Sequence, residues 1–128
     1  MSEEETADVR AIALIRLAKE FQRTYERWIW AWAKLKSYQK VKALLKELET
    51  KRRNRGWKLS EDVLKEVERE IAGWDFRING ESWELCAHYA NLQRLEQEIA
   101  RVLDEPWEWR DSSVGDALWE SERCSERE

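Results

Sequence analysis

The chain has almost no means of turning sharply. It holds one proline, Pro106, and four glycines in 128 residues. A sandwich or barrel of many short strands needs more turn residues than that, so all-β architectures are disfavoured. Histidine is nearly absent, with His88 alone, and the two cysteines lie far apart at Cys86 and Cys124. No Cys/His cluster has the spacing of a metal site, and no phosphate-cradling glycine loop or nucleophile motif occurs. Cys86 and His88 are two positions apart, which on a helix points their side chains roughly 200° apart. They therefore cannot serve as a nucleophile and base. The expectation is a non-enzymatic protein with no cofactor and no metal.

Two cysteines make no disulfide framework, and a reduced intracellular protein is the default. No apolar run reaches the ~18 residues that suggest a membrane span. The acidic start, Met1-Ser-Glu-Glu-Glu, lacks the basic and apolar regions of a secretory leader. A cytoplasmic location with no membrane partner is expected by elimination.

What the chain does have is charge and tryptophan. Charged residues make up 39% of it, against about 25% in ordinary domains, and there are nine tryptophans. The net charge of −4 conceals a segregation. Lys34 to Lys58 holds ten basic and two acidic residues, net +8; residues 1–33 are net −1 and residues 59–128 net −11. Either the halves neutralise each other within the fold or across copies, or an anionic partner covers the basic segment.

Low glycine and proline with abundant Ala, Leu, Glu, Lys and Arg predict helix throughout. Leu14, Ala18, Phe21, Tyr25, Trp28, Trp32 and Leu35 recur at helical spacing, broadened by Ile15, Leu17 and Ile29. Beyond Leu35 the steps change to Tyr38, Val41, Leu45 and Leu48, which rotates the stripe. One helix from Thr6 to Arg55 would be roughly 75 Å long, against about 35–40 Å across a compact domain of this size. Either the helix bends or breaks near residues 34–38, with Ser37 as the new cap, or the fold is elongated and oligomeric; the break is the favoured expectation, although no Gly or Pro enforces it. Gly56 provides the stop.

A second helix is predicted from Ser60 to Ala72, with Leu64, Val67 and Ile71 inward and Gly73 ending it. Trp74 to Ser82 contains Asn79-Gly80 and reads as a loop with apolar anchors. A third helix is predicted from Ser82 to Leu103 on Leu85, His88, Leu92, Leu95, Ile99 and Val102, with His88 as a partly buried structural residue. Asp104-Glu105-Pro106 closes it. A short turn carrying Trp107 and Trp109 follows, then a last helix over 113–124 with Val114, Ala117, Leu118 and Trp119 inward. The fold class is thus an all-α bundle of three to five helices in one domain, 1–128. The ends, at about 1–5 and 121–128, are expected to be mobile.

Two surfaces invite partners. The first is the basic segment, with Lys36, Lys40, Lys42, Lys46, Lys51, Arg52, Arg53, Arg55 and Lys58. Lys36 with Lys40, and Lys42 with Lys46, are like-charge i, i+4 pairs that destabilise a helix unless something compensates them. Trp57 stands among the last cations, an arrangement suited to phosphate contact with base stacking. The plainer reading is a cationic helix end with Trp57 plugging the core. The second surface is Trp30, roughly opposite the main stripe, together with Trp107 and Trp109, read as protein-interface residues. A membrane-surface role for Trp beside Lys is the least supported.

The function expected is a helical interaction or assembly protein that self-associates, as a homo-oligomer, or docks on a larger complex. The alternative is a nucleic-acid-binding subunit of a nucleoprotein complex using residues 34–58. A weaker one is an acidic inhibitor that mimics nucleic acid.

Overall fold

The computed structural model describes residues 3–124, except the side chain of Glu4. The protein is all-α: three α-helices, one 3-10 turn and no strand among the described residues. Helix α1 spans Glu3–Arg55 and α2 spans Glu61–Leu103. A 3-10 turn at Ser112–Val114 leads into α3, Gly115–Glu122. The outermost parts of the ends expected to be mobile, 1–2 and 125–128, lie outside the described residues.

The break expected in α1 near residues 34–38 is absent. The reason lies in which residues form its seam. Thr24, Trp28, Ala31 and Leu35 are buried, with Leu14, Leu17, Phe21 and Tyr38 half-buried. These positions step by three and four without a change of phase. The spacing read from sequence takes Ala18, Tyr25 and Trp32 where the seam takes Leu17, Thr24 and Ala31, one position off. Past Leu35, Tyr38, Val41, Leu45 and Leu48 are all half-buried, as their spacing suggests, and this shift of the stripe is accommodated without a break. Ala18 and Ile15 are exposed. With no Gly or Pro before Gly56, nothing interrupts the hydrogen-bond ladder. Gly56, at φ 69°, takes the left-handed conformation that ends the helix.

The second and third predicted helices, and the loop between them, are one helix. Ser60 caps it: its carbonyl accepts from Leu64 N–H at 3.0 Å and its Oγ from Val63 N–H at 3.3 Å. Val67, Ile71, Trp74 and Ile78 then continue a 4-3-4 seam through the supposed loop, all buried or half-buried. The alternation of Trp74, Phe76 and Ile78 suggested an extended segment, but Phe76 simply stands on the other side. Asn79-Gly80 costs some helix propensity without ending the helix. At the C-terminus Asp104 adopts φ 58°. Its N–H bonds to Arg101 O at 3.3 Å and that of Glu105 to Ala100 O at 3.2 Å. These are the paired bonds of a Schellman stop, with proline next in the chain.

The chain divides into two compact units. The unit of residues 31–83 holds the C-terminal part of α1 and the N-terminal part of α2. Its ties run antiparallel: Lys34 Nζ to Glu81 Oε1 at 3.0 Å, Tyr38 edge-on to Trp74 at 5.2 Å, and Lys42 to Asp75. Ala31, Leu35 and Val67 are its buried apolar residues.

The other unit comprises residues 1–30 and 84–128. Its core joins Trp28 to Leu85, Tyr89, Leu92, Leu95 and Ile99 of α2 and to Val114, Ala117 and Leu118 of the C-terminal segment. Tyr89, not His88, is the aromatic residue at the centre of the α2 seam. His88 is half-buried, with Nε2 3.1 Å from Glu84 Oε2. Trp119, expected inward, is exposed and carries the Arg123 guanidinium 4.5 Å over its ring. Ser121, expected to begin a loose tail, is 1% exposed.

The cysteines are not independent thiols. Cys86 on α2 and Cys124 just past α3 are joined as a disulfide, with Cα atoms 5.7 Å apart and 38 positions of sequence between them. Two cysteines were too few to suggest a framework from sequence. The packing of α3 brings them together.

Candidate interaction surfaces

The basic segment lies within the unit of residues 31–83. Like-charge spacing in α1 was the motive for an outside anion, and part of that charge is answered inside the unit. Lys42 pairs with Asp75 of α2, and Lys36 is half-buried with contacts of its own. Lys40 and Lys46 are exposed. The Lys51 ammonium sits 5.1 Å from the centre of the Trp57 ring, a cation–π contact on an indole that is 45% exposed. Trp57 therefore does not plug the core. Arg52, Arg53, Arg55 and Lys58 are exposed around it. Arg52 and Arg53 also line an open cleft of about 470 Å³ with Glu49, Leu64, Val67 and Glu68. Its two carboxylates make that cleft mixed in sign, so the cationic surface proper is the helix end and the Gly56–Lys58 turn.

The three tryptophans expected at an interface have different surroundings. Trp30 is 63% exposed, in a shallow depression with Arg23, Glu26 and Arg27. Trp107 and Trp109 are half-buried in an aromatic cluster of their own unit. Phe21 meets Trp107 at 5.0 Å and Trp109 at 5.5 Å, both edge-on. Trp109 also lies edge-on to Trp28 at 5.5 Å and to Tyr25 at 6.1 Å. Such edge-to-face pairs add about 0.5–1.5 kcal/mol each beyond their burial. These two indoles thus close the core of the unit from the 104–111 connection.

Arg110 locks that connection. Its Nη1 donates to Glu96 Oε1 at 2.6 Å and Glu108 Oε1 at 3.0 Å, and its guanidinium lies 4.9 Å over the Trp109 ring. Burial works against the charge, but hydrogen bonds to Glu96, Tyr89 and Glu108 hold the guanidinium pKa above its ordinary value. The backbone N–H and the guanidinium of Arg110 keep the Glu108 carboxyl below the usual range. The Ser113 hydroxyl and N–H do the same for Asp111. Burial first, and then Asp111, push the Tyr25 phenol up.

One surface escaped the sequence reading. On α2, within the unit of residues 31–83, Phe76 is 81% and Trp83 78% exposed. They are seven positions apart and so share a face, with Gly80 between them. That face is opposite the Val67–Ile71–Trp74–Ile78 seam. The signal was present as spacing, but placing Trp74 to Ser82 in a loop removed the helical frame that gives the spacing meaning.

Among the described residues no group of three or more His, Cys, Asp and Glu side chains could hold a metal ion. Among the same residues no helix is long and apolar enough to cross a membrane. Comparison with known proteins returns no matching family model, no matching curated protein and no matching solved structure.

Proposed function

We propose that the protein is a non-enzymatic helical interaction module, a small bundle that works by docking its exposed aromatic faces on another macromolecule or on itself. The observation that carries this reading is the pair Phe76 and Trp83, two large apolar rings held almost fully in water on a regular helix. An aromatic ring left in water gives up roughly 1.5–3 kcal/mol of burial free energy, and nothing in the packing of α2 requires rings at these positions. Trp and Phe are also among the side chains enriched where interfaces form. The paired cysteines favour an oxidising setting over a reducing cytoplasm.

A photo-crosslinking residue at position 83, with position 65 as an exposed control, tests the proposal in cells that make the protein. A discrete adduct of defined mass from position 83 only is expected. No adduct of any mass from position 83 would remove the reading.

A second reading is favoured by one specific feature, the Lys51–Trp57 stack amid Arg52, Arg53, Arg55 and Lys58. It would make residues 51–58 a sequence-independent site for single-stranded nucleic acid, with phosphates on the cations and a base on the indole. Affinity for a mixed oligonucleotide should then fall steeply between 50 and 200 mM salt, by roughly tenfold or more for a few phosphate contacts. Flat affinity across that range excludes it.

A further inference from the structure

Gly80 has no explanation inside the chain. It lies in the interior of α2, where glycine is worse than alanine for helix formation. It has no positive φ, and a Cβ built on it would meet nothing within 4 Å. Neither backbone conformation nor crowding within the protein calls for a missing side chain. What surrounds it are the two most exposed rings of the described chain, Phe76 one turn before and Trp83 one turn after. Large, small and large side chains thus alternate along one helix face that packs against nothing described.

We propose that this face, Phe76–Gly80–Trp83, is where the protein pairs with a second copy of itself, two α2 helices crossing antiparallel about a two-fold axis midway between Gly80 and Trp83. This rests on the interaction reading above and names its partner. In that register the Trp83 indole of each copy lies over Gly80 of the other, and the missing Cβ supplies the room the ring needs. Under a two-fold, a residue that contacts a second residue of the partner is contacted in return by that second residue's copy; Gly80 and Trp83 form such a pair, a large group against a small one. Phe76 extends the contact on each flank.

Area points to the same occupant. A second copy brings the matching aromatic stripe. Four rings, two from each copy, bury roughly 600–1,000 Å², a large part of the ~1,600 Å² of a standard interface.

Sedimentation equilibrium of the full chain with its disulfide intact, from micromolar to several hundred micromolar, tests this. A reversible monomer–dimer equilibrium is expected. Gly80→Gln should weaken the dimer by at least about tenfold while raising the thermal midpoint measured on the dilute monomer, since it adds a better helix former in open space. A role for Gly80 confined to the fold would not separate those two effects. Trp83→Ala should weaken the dimer similarly and leave the monomer's midpoint nearly unchanged, whereas Trp119→Ala on α3 should leave the dimer intact. A chain that stays monomeric throughout, or a dimer undiminished in both Gly80→Gln and Trp83→Ala, overturns the proposal. If the monomeric chain still yields an adduct with a different protein from position 83, only the second copy is excluded and the interaction reading stands.

Discussion

The indole Nε1 of Trp28 donates to Ser121 Oγ at 2.8 Å, and both side chains are sealed from water. Ser121 passes the hydrogen bond on, donating to Ala117 O at 2.7 Å. A tryptophan in the middle of α1 is thus satisfied by the last turn of α3, 93 positions away. Removing the hydroxyl leaves a buried N–H without an acceptor, which costs about 1–3 kcal/mol. Ser121→Ala should lower the unfolding free energy by that amount, read as a lower urea midpoint with an unchanged slope. A variant as stable as the parent would mean that the indole finds another acceptor.

The disulfide between Cys86 and Cys124 closes a loop of 38 positions. On chain-entropy grounds such a closure stabilises by up to about 4 kcal/mol. An eight-residue helix such as α3 does not persist without tertiary support. Cys124→Ser should therefore lower stability by about 2–4 kcal/mol. A dithiol reductant should destabilise the parent to a similar degree and leave the variant unaffected. Both effects are read from denaturation curves with and without the reductant.

Asp104 ends α2 at φ 58°, a conformation that costs a non-glycine residue roughly 1–2 kcal/mol. Its N–H already serves the helix stop, and glycine would keep that bond without the strain. Asp104→Gly should raise stability by about 0.5–1 kcal/mol, the entropy of a freer unfolded chain offsetting part of the gain. Asp104→Val, which is β-branched, should lower it. Thermal midpoints of the three proteins order the prediction.

Acid should loosen the connection between α2 and α3. The Asp111 and Glu108 carboxyls are both held below their usual range, chiefly by the Ser113 hydroxyl and by the Arg110 backbone N–H, respectively. Groups depressed in the folded state contribute stability above their unfolded pKa values, about 4, and lose it as pH falls through the lower folded values. The Ser113 and Arg110 amide resonances should therefore shift with midpoints below the ordinary values of an aspartate and a glutamate, respectively. Asp111→Asn should abolish the Ser113 transition and leave that of Arg110. Midpoints at or above the ordinary carboxylate values would contradict these contacts.

How much of this was legible beforehand depends on residue size. Large side chains at helical spacing announced α1, the later part of α2 and the inward faces of Val114, Ala117 and Leu118. Small ones misled. The seam of α1 passes through Thr24 and Ala31, which look unremarkable beside Tyr25 and Trp32, so the stripe before Leu35 reads one position off. Asn79-Gly80 looked like a turn because turns favour those residues, although a long helix with a steady seam can carry them.

The candidate surfaces divide in the same way. The basic run of Lys40, Lys46, Arg52, Arg53 and Arg55 was visible as composition, because exposed charge needs no tertiary information to remain exposed. Whether a tryptophan faces water is a different matter. Trp107 and Trp109 are drawn into the Phe21–Tyr25–Trp28 cluster by the path of residues 104–111, which no local pattern prescribes. Phe76 and Trp83 are left outside because Val67, Ile71, Trp74 and Ile78 take the inner face of α2.

By itself, then, the sequence determined the helical class, the stop at Gly56 and the cap at Ser60, the close of α2 before Pro106, and the segregation of charge. All of these follow from local backbone preference and from side chains within a turn or two. Only the tertiary structure decided the continuity of α1 and α2, the Cys86–Cys124 and Trp28–Ser121 links, and which rings are sealed or exposed. Those depend on contacts between residues tens of positions apart, whose free energy is set by packing and the exclusion of water and leaves no period in the chain.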